Sequence, residues 1–119
     1  MKPTYVIAEA GVNHNGNLAL ARELVDRAAD AGVNAVKFQT FNAKKLANLS
    51  APKAGYQKQT TEGGESQLDM LRKLELPREW HYELRDRAKG RGIEFLSTAF
   101  DPDSLDFLAT LEMPFYKVS

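Results

Sequence analysis

The chain has 119 residues, with 16 basic and 16 acidic side chains and a formal net charge of zero, and this length suits one globular domain that can bury a core. Because cysteine is absent, disulfides, thiolate metal sites and a cysteine nucleophile are excluded. We find no apolar run of about 18 residues, no secretory leader and no excess of basic charge, so we expect a cytoplasmic protein that binds neither membranes nor nucleic acids.

The first part of the chain predicts two strands with a helix between them. Residues 5–9 (YVIAE) form a short run rich in β-branched and aromatic side chains, which is typical of a strand. From Leu18 onward apolar residues recur at helical spacing, with Asn17 as the expected N-cap and Gly32 as the stop. Residues 35–39 (AVKFQ) predict a second strand about 30 residues after the first, the length of one βα unit.

The middle of the chain predicts a long loop followed by two helices. Residues 40–65 are polar and contain Pro and Gly, so we expect an irregular loop of a kind that is often functional. A short helix is expected within residues 66–76. Pro77 sits well in the first turn of another helix, which ends near Gly90 or Gly92. The apolar stripe of that helix is Trp80, Leu84 and Ala88.

The last part of the chain predicts two more strands around a helix. Residues 93–97 (IEFLS) form the third strand, and residues 115–118 (FYKV) start a fourth. Between them, Asp101 is the expected N-cap and Pro102 the first residue of a helix. This helix should bury Leu105, Leu108 and Leu111. Because strands and helices alternate, we predict an α/β fold with a parallel sheet and right-handed crossovers.

Polar side chains lie at the carboxyl ends of the predicted strands. Glu9 ends the first strand, Lys37 and Gln39 share one face of the second, Thr98 follows the third and Lys117 lies in the fourth. In a (β/α) barrel, chemistry takes place at this end of the strands. Two lysines at equivalent places favour an anion site, in which their ammonium groups bind a phosphate or carboxylate and Thr98 adds a hydroxyl donor.

Two other roles remain open for Lys37. Since a buried ammonium without a partner is costly, Lys37 could instead point outward or pair with Glu9. Burial also lowers the pKa of a lysine, so a lysine that forms a Schiff base with a substrate is a further alternative.

The turn after the first strand contains Asn13 and His14. Asn and Gly residues there can serve simply to supply the positive φ angles of a turn. Alternatively, Asn13 and His14 face the same mouth as Glu9 and hydrogen-bond a polyol. We predict no metal ligand in this chain, because His14 has no second ligand at suitable spacing nearby. His81 is expected to be solvated or interfacial.

Four segments resemble, in the right order, motifs of the sialic acid synthases. They are residues 7–16 (IAEAGVNHNG), 36–40 (VKFQT), 97–100 (STAF) and 116–118 (YKV). The resemblance implies a (β/α)8 TIM barrel, of which residues 1–119 would be the N-terminal portion up to the fourth strand. The C-terminal half-barrel and the antifreeze-like domain of the family would then be absent.

The resemblance also implies an activity. These enzymes condense phosphoenolpyruvate with an N-acylated aminohexose such as N-acetylmannosamine, and they release a nonulosonic acid and phosphate. They use a divalent metal such as Mn²⁺ or Mg²⁺, and a homodimer completes the site. Their metal-binding histidines lie on later strands, beyond this chain, so we expect the chain alone to be inactive.

The resemblance assigns roles to the polar residues named above. The expected substrate-binding residues are Lys37, Gln39, Thr98, Lys117, Asn13 and His14. Of these, Lys37, Thr98 and Lys117 would hold the phosphate and carboxylate of phosphoenolpyruvate. The others would lie near the sugar or support the loop. Glu9 would act catalytically, near the reacting carbons or the sugar.

Two other functions remain open on the sequence alone. One is a lysine-dependent aldolase or related barrel, in which Lys37 or Lys117 forms the Schiff base. The other is a non-catalytic half-barrel that self-associates, because unpaired strand edges tend to pair with another chain.

Overall fold

The computed structural model describes residues 3–50 and 66–119, except for the side chains of residues 49 and 50. The strands in these residues are β1 (Ile7–Gly11), β2 (Ala35–Thr40) and β3 (Glu94–Ala99). The helices are α1 (Leu18–Asp30), α2 (Ala43–Ser50), α3 (Gln67–Leu74), α4 (Arg78–Gly90) and α5 (Pro102–Ala109). None of these helices is long and apolar enough to cross a membrane.

The three strands form one parallel sheet in the order β1-β2-β3. Glu9 is the register partner of Lys37, and Gln39 is the register partner of Thr98. The register between β1 and β2 shifts between Glu9 and Gly11. The predicted parallel α/β arrangement is therefore confirmed, with helical crossovers between successive strands.

The core lies between one face of the sheet and the helices. Side chains of β2 alternate, so that Val36, Phe38 and Thr40 are buried while Lys37 and Gln39 are only partly buried. The buried face packs against apolar side chains of the helices, among them Val25, Leu84, Phe107 and Leu108. Lys37 and Gln39, two residues of the predicted site, are consequently left on the opposite face.

Two predicted helix caps are confirmed. The Asn17 side chain accepts the N–H of Leu20 at 3.0 Å at the start of α1. The Asp101 side chain accepts the N–H of Ser104 at 2.8 Å at the start of α5, and Pro102 is the first residue of that helix, as predicted.

The predicted loop over residues 40–65 is wrong for its first part, because residues 43–50 form α2. Asn42 explains the helix, since its side-chain oxygen accepts the N–H of Lys45 at 3.0 Å and caps the first turn. The rest of that loop, residues 51–65, lies outside the described residues. The strand bounds also differ. β1 ends two residues later than predicted and β3 continues to Ala99, so Thr98 lies within its strand.

The predicted fourth strand over residues 115–118 is wrong. In the described part of the chain, β3 pairs only with β2, and a strand without a partner lacks its ladder of hydrogen bonds. Phe115 instead packs edge-on against Tyr5, with 5.5 Å between the ring centroids.

Two burial predictions are also wrong. Leu105 is 49% exposed, because the buried stripe of α5 runs through Ser104, Phe107 and Leu108, and the next buried residue, Leu111, follows the helix. His81, expected to be solvated or interfacial, is fully buried, because the face of α4 that packs on the sheet carries His81, Leu84 and Ala88. Leu108 and Leu111 are buried as predicted.

Candidate anion site at the strand ends

Lys37 joins three strands through its ammonium group. Its Nζ lies 2.6 Å from Oε2 of Glu9 on β1 and 3.3 Å from Oγ1 of Thr98 on β3. The Lys37 side chain is only 13% exposed, whereas that of Glu9 is 50% exposed. Pairing with Glu9, one of the alternatives left open by the sequence, is therefore what the structure shows.

Gly11 leaves the space that these side chains need. Its φ is +56°, a left-handed conformation that favours glycine. A Cβ at Gly11 would lie 3.2 Å from Oε1 of Glu9 and 3.6 Å from Nε2 of Gln39. The two distances put the Glu9 carboxylate and the Gln39 amide close to the same point. The structure thus brings together Glu9, Lys37, Gln39 and Thr98, as the strand-end argument predicted.

The geometry suits recognition of an anion. An ammonium group has three N–H donors, and Glu9 and Thr98 engage two of them. The remaining donor can bind a phosphate or carboxylate oxygen, and partial burial strengthens such a charge-assisted bond. Because Glu9 is half-exposed, its carboxylate can turn toward solvent when a ligand takes its place.

Lys117 is not brought into contact with Lys37. Its side chain is exposed, and it lines a cavity of about 410 Å³ together with Ser97 and Ala99 of β3. Because Ser97 precedes Thr98, Lys117 lies beside the strand that supplies the hydroxyl group of the site. The role of Lys117 in substrate binding stays a prediction.

His14 and Asn13 occupy different environments. The His14 ring is fully buried, with its centroid 6.3 Å from that of Phe38, on the side of β2 that faces the core. Its Nδ1 accepts the N–H of Gly16 at 2.9 Å, and burial lowers its pKa. Its Nε2 has no partner among the described residues. Asn13 is exposed in the turn after β1, where its N–H binds the carbonyl of Ala10.

These environments bear on the two interpretations of the turn, as a structural loop or as a polyol-binding site. His14 lies away from the face that carries Glu9, and its bond to Gly16 fits the loop-supporting alternative. Asn13 is accessible to a ligand. Substrate binding by either residue remains a prediction.

A series of buried hydrogen bonds on the opposite face of the sheet was not predicted. Thr40 Oγ1 lies 2.8 Å from Nε2 of His81 and 2.6 Å from Oγ of Ser97, and Nδ1 of His81 lies 2.9 Å from the carbonyl oxygen of Pro77. Since a carbonyl only accepts, Nδ1 of His81 carries the proton, Thr40 donates to Nε2 and Ser97 donates to Thr40. Burial is the main cause that lowers the pKa of His81 to about 4, so the ring is neutral.

The sequence does contain a signal for this chain of hydrogen bonds. His81 lies three residues before Leu84 and seven before Ala88, so helical spacing puts all three on one face. Thr40 and Ser97 are the direct neighbours of Gln39 and Thr98 on the other face of the sheet. These buried hydrogen bonds therefore hold the ends of β2 and β3 together on the face of the sheet opposite to the site.

The described residues do not form a metal site. No three His, Cys, Asp or Glu side chains in residues 3–50 and 66–119 come together in a way that could hold an ion. The donors around Lys37 comprise one carboxylate, an amide and a hydroxyl group, with a competing cation at their centre.

Comparison with known proteins identifies relatives across nearly the whole chain. The model of the NeuB family matches residues 24–119. The N,N'-diacetyllegionaminic acid synthases of Campylobacter jejuni and Legionella pneumophila are 52% and 51% identical over 118 and 114 residues. These alignments cover 99% and 96% of this chain but 35% and 32% of the relatives. The chain thus spans about a third of their length.

A solved structure agrees with the sequence matches. The crystal structure of N-acetylneuraminic acid synthetase from Leptospira borgpetersenii, in complex with citrate, superposes with a TM-score of 0.80 at 29% identity, over 98% of this chain and 36% of that chain. The predicted fold class is confirmed: the sheet is the opening part of a (β/α)8 TIM-barrel-type fold. Since the family model covers most of its residues, the chain belongs to the NeuB family.

Proposed function

We propose that the protein containing this chain is a nonulosonic acid synthase, which condenses phosphoenolpyruvate with an N-acylated aminohexose such as N-acetylmannosamine and releases phosphate. The observation that carries the proposal is the Lys37 ammonium, held at the strand ends between Glu9 and Thr98. A partly buried cation, with one donor that Glu9 and Thr98 do not engage, suits an anionic three-carbon substrate. Among sialic, pseudaminic and legionaminic acids as products, the two legionaminic acid synthase relatives favour the last.

The residue types fit each stage of this reaction. The methylene carbon of phosphoenolpyruvate attacks the aldehyde carbon of the open-chain sugar and a C–C bond forms. The aldehyde oxygen takes up a proton and becomes a hydroxyl, while positive charge develops at the carbon of phosphoenolpyruvate that bears the phosphate oxygen. Water adds to that carbon and loses a proton, and the tetrahedral intermediate then loses phosphate to give the keto acid. Lys37 and Thr98 would hold the phosphate or carboxylate and stabilise its charge from a fixed position. Glu9, within hydrogen-bonding distance of Lys37, would accept the proton of the attacking water.

Lys117 and Gln39 complete the proposed substrate contacts. Lys117 would supply a second positive charge to phosphoenolpyruvate beside β3, since the substrate carries charge at both its phosphate and its carboxylate. Gln39 and the exposed Asn13 would hydrogen-bond the sugar. His14 would act indirectly by shaping the turn that contains Asn13.

The cofactor, assembly and location of the protein belong to the same proposal. Resemblance to the family implies Mn²⁺ or Mg²⁺, which would polarise the sugar aldehyde when bound. The described residues do not fit such an ion, so its ligands are expected outside the described residues and no step here depends on them. A cytoplasmic homodimer is proposed. A clean monomer by light scattering at micromolar concentration would contradict the dimer.

The test uses the protein at the full length of its relatives. We expect it to convert phosphoenolpyruvate and an N-acylated aminohexose into a nonulosonic acid, detected by mass spectrometry together with released phosphate. Lys37→Ala and Lys117→Ala should lose phosphoenolpyruvate binding. Lys44→Ala, which removes an exposed lysine of α2, should bind normally. Normal binding by both site variants would overturn the anion-site assignment.

One further measurement separates this function from the lysine-dependent aldolase. A Schiff base formed with pyruvate is trapped by borohydride as a stable adduct. We expect no adduct at Lys37 or Lys117. An adduct at either residue would contradict the synthase.

A further inference from the structure

The side chain of Asp101 makes more hydrogen bonds than a helix cap requires. Its Oδ1 accepts the N–H of Ser104 at 2.8 Å, which caps α5. Its Oδ2 accepts the hydroxyl of Ser104 at 2.9 Å and also the backbone N–H of Asn42 at 2.8 Å. Asn42 lies 59 residues earlier in the chain, so the last bond is a long-range tertiary contact.

Asn42 is itself the residue that caps α2. Its Oδ1 accepts the N–H of Lys45, and its carbonyl accepts the N–H of Leu46 at 3.0 Å. One carboxylate therefore joins the N-termini of two helices. An ion pair between Lys45 and Asp103 connects the same two helix starts a second time.

The two helices follow the two strands that carry most of the site. β2 carries Lys37 and Gln39, and Asn42 lies three residues beyond Gln39. β3 carries Thr98, and Asp101 lies three residues beyond it. The backbone between these points is also paired, since the N–H of Phe100 binds the carbonyl of Thr40 at 3.1 Å. A change in the Asp101–Asn42 contact would thus be transmitted over three residues to the register partners Gln39 and Thr98.

The environment keeps Asp101 charged. Burial by itself raises the pKa of the carboxyl, but the hydrogen bonds from the backbone of Asn42 and from Ser104, with the charge of Lys45, outweigh it and hold the pKa below its usual value. A charged acceptor makes the bond to Asn42 stronger than a bond between neutral groups.

We propose that Asp101 is a positioning residue of the phosphoenolpyruvate site: by capping α5 and binding the N–H of Asn42 at once, it holds the ends of β2 and β3 together and fixes Lys37 relative to Thr98. This role rests on the proposed function of the site. Asp101 makes no contact with Lys37 or Thr98, so it acts through the backbone that follows them.

A pair of matched variants isolates the second bond. Asp101→Ser keeps a good N-cap for α5, but the shorter side chain cannot also reach Asn42. Asn17→Ser makes the same kind of change at α1, where the cap binds only Leu20. In the full-length enzyme we expect Asp101→Ser to raise the KM for phosphoenolpyruvate on the order of tenfold with a smaller change in kcat, because misplaced binding groups lose affinity. Asn17→Ser should leave both constants unchanged. Asp101→Asn should not recover the loss, because its amide offers one acceptor oxygen where the backbone N–H groups of Ser104 and Asn42 each bind a separate carboxylate oxygen of Asp101.

Amide hydrogen exchange gives a readout that does not depend on activity. Loss of one charge-assisted hydrogen bond should speed exchange at Asn42 about tenfold in Asp101→Ser and leave it unchanged in Asn17→Ser. Unchanged exchange at Asn42 would overturn the proposal, as would faster exchange with a normal KM in an active enzyme. If the unsubstituted full-length protein condenses no sugar with phosphoenolpyruvate, the proposed function itself fails. The two failures are therefore distinguishable.

Discussion

Lys37 and Glu9 are register partners on neighbouring strands, and their side chains form an ion pair with 2.6 Å between Nζ and Oε2. In this pair each charge balances the other. An entering anion must therefore share the ammonium with Glu9 or displace it, and the half-exposed Glu9 can move into solvent at small cost. The pair thus keeps a cation available on the sheet without leaving it buried and unpaired.

Glu9→Gln tests whether the carboxylate acts chemically or only balances charge. We expect kcat of the full-length enzyme to fall by about 10²- to 10⁴-fold, because the amide cannot accept a proton. The KM for phosphoenolpyruvate should not rise, since removal of the carboxylate frees Lys37 for the anion. Steady-state kinetics would show this, with Glu23→Gln on the exposed face of α1 as the control. A normal kcat with a raised KM would contradict a catalytic role.

Gly16→Ala and Gly32→Ala form a matched pair that tests the turn after β1. Both glycines have positive φ angles, +71° and +81°, so alanine costs about 1–2 kcal/mol of conformational energy at each. At Gly16 a Cβ would also lie 2.3 Å from the carbonyl oxygen of Lys73, whereas at Gly32 nothing lies within 4 Å. We expect Gly16→Ala to be the more destabilising by a further ~1–3 kcal/mol in denaturant unfolding, because α3 must move. Equal losses of unfolding free energy in the two variants would show that the backbone at Lys73 can move away from the added Cβ at little cost.

The order of the first elements could be predicted because local patterns are enough for them. The helical spacing from Leu18 and the alternation around Lys37 reflect burial of one face, and the cap at Asn17 is a hydrogen bond to Leu20, three residues on. None of these needs knowledge of distant residues. Position at the strand ends likewise predicted that Glu9, Lys37, Gln39, Thr98 and Lys117 would be neighbours. The geometry brings the first four together, whereas Lys117 is exposed and lines a cavity that Lys37 does not line. Their roles toward a substrate stay predictions.

The errors share a different cause, which is dependence on contacts made far along the chain. α2 begins at a polar segment. Its cap, Asn42, donates its own N–H to Asp101, 59 residues away, and the first N–H of the helix, that of Ala43, binds Glu75, 32 residues away. Residues 115–118 have side chains with a high strand propensity. A strand also needs a partner strand, and local propensity does not predict one. His81 is polar and looked solvated, yet Thr40 and Pro77 satisfy both of its ring nitrogens.

Thr40→Val tests the buried hydrogen bonds that join Thr40 to His81 and Ser97. Valine has nearly the shape of threonine but no hydroxyl, so His81 and Ser97 would lose their common partner while remaining buried. We expect the free energy of unfolding to fall by about 1–3 kcal/mol for each group left unpaired. Thr40→Ser is the control, because it keeps the hydroxyl and loses only a methyl, worth about 1 kcal/mol. A valine variant more stable than the serine variant would show that these hydrogen bonds contribute little to the free energy of unfolding.

Lowering the pH should destabilise the protein through His81. Its pKa is about 4 in the folded state and about 6.5 when unfolded, so between these values the unfolded chain binds the extra proton. The neutral ring makes its full contribution to the free energy of unfolding above pH 6.5. As the pH falls toward 4 this contribution is lost, and the total loss is about 3 kcal/mol. Denaturant unfolding measured from pH 7 to pH 4.5 would follow this loss. In His81→Gln the part due to His14, whose pKa burial also lowers, should remain. At the acid end of the range a smaller loss from Asp26, Glu83 and Asp101 should also remain, because hydrogen bonds and nearby positive charges hold the pKa of each carboxyl below its usual value. An equal pH dependence in His81→Gln would assign the effect to other groups.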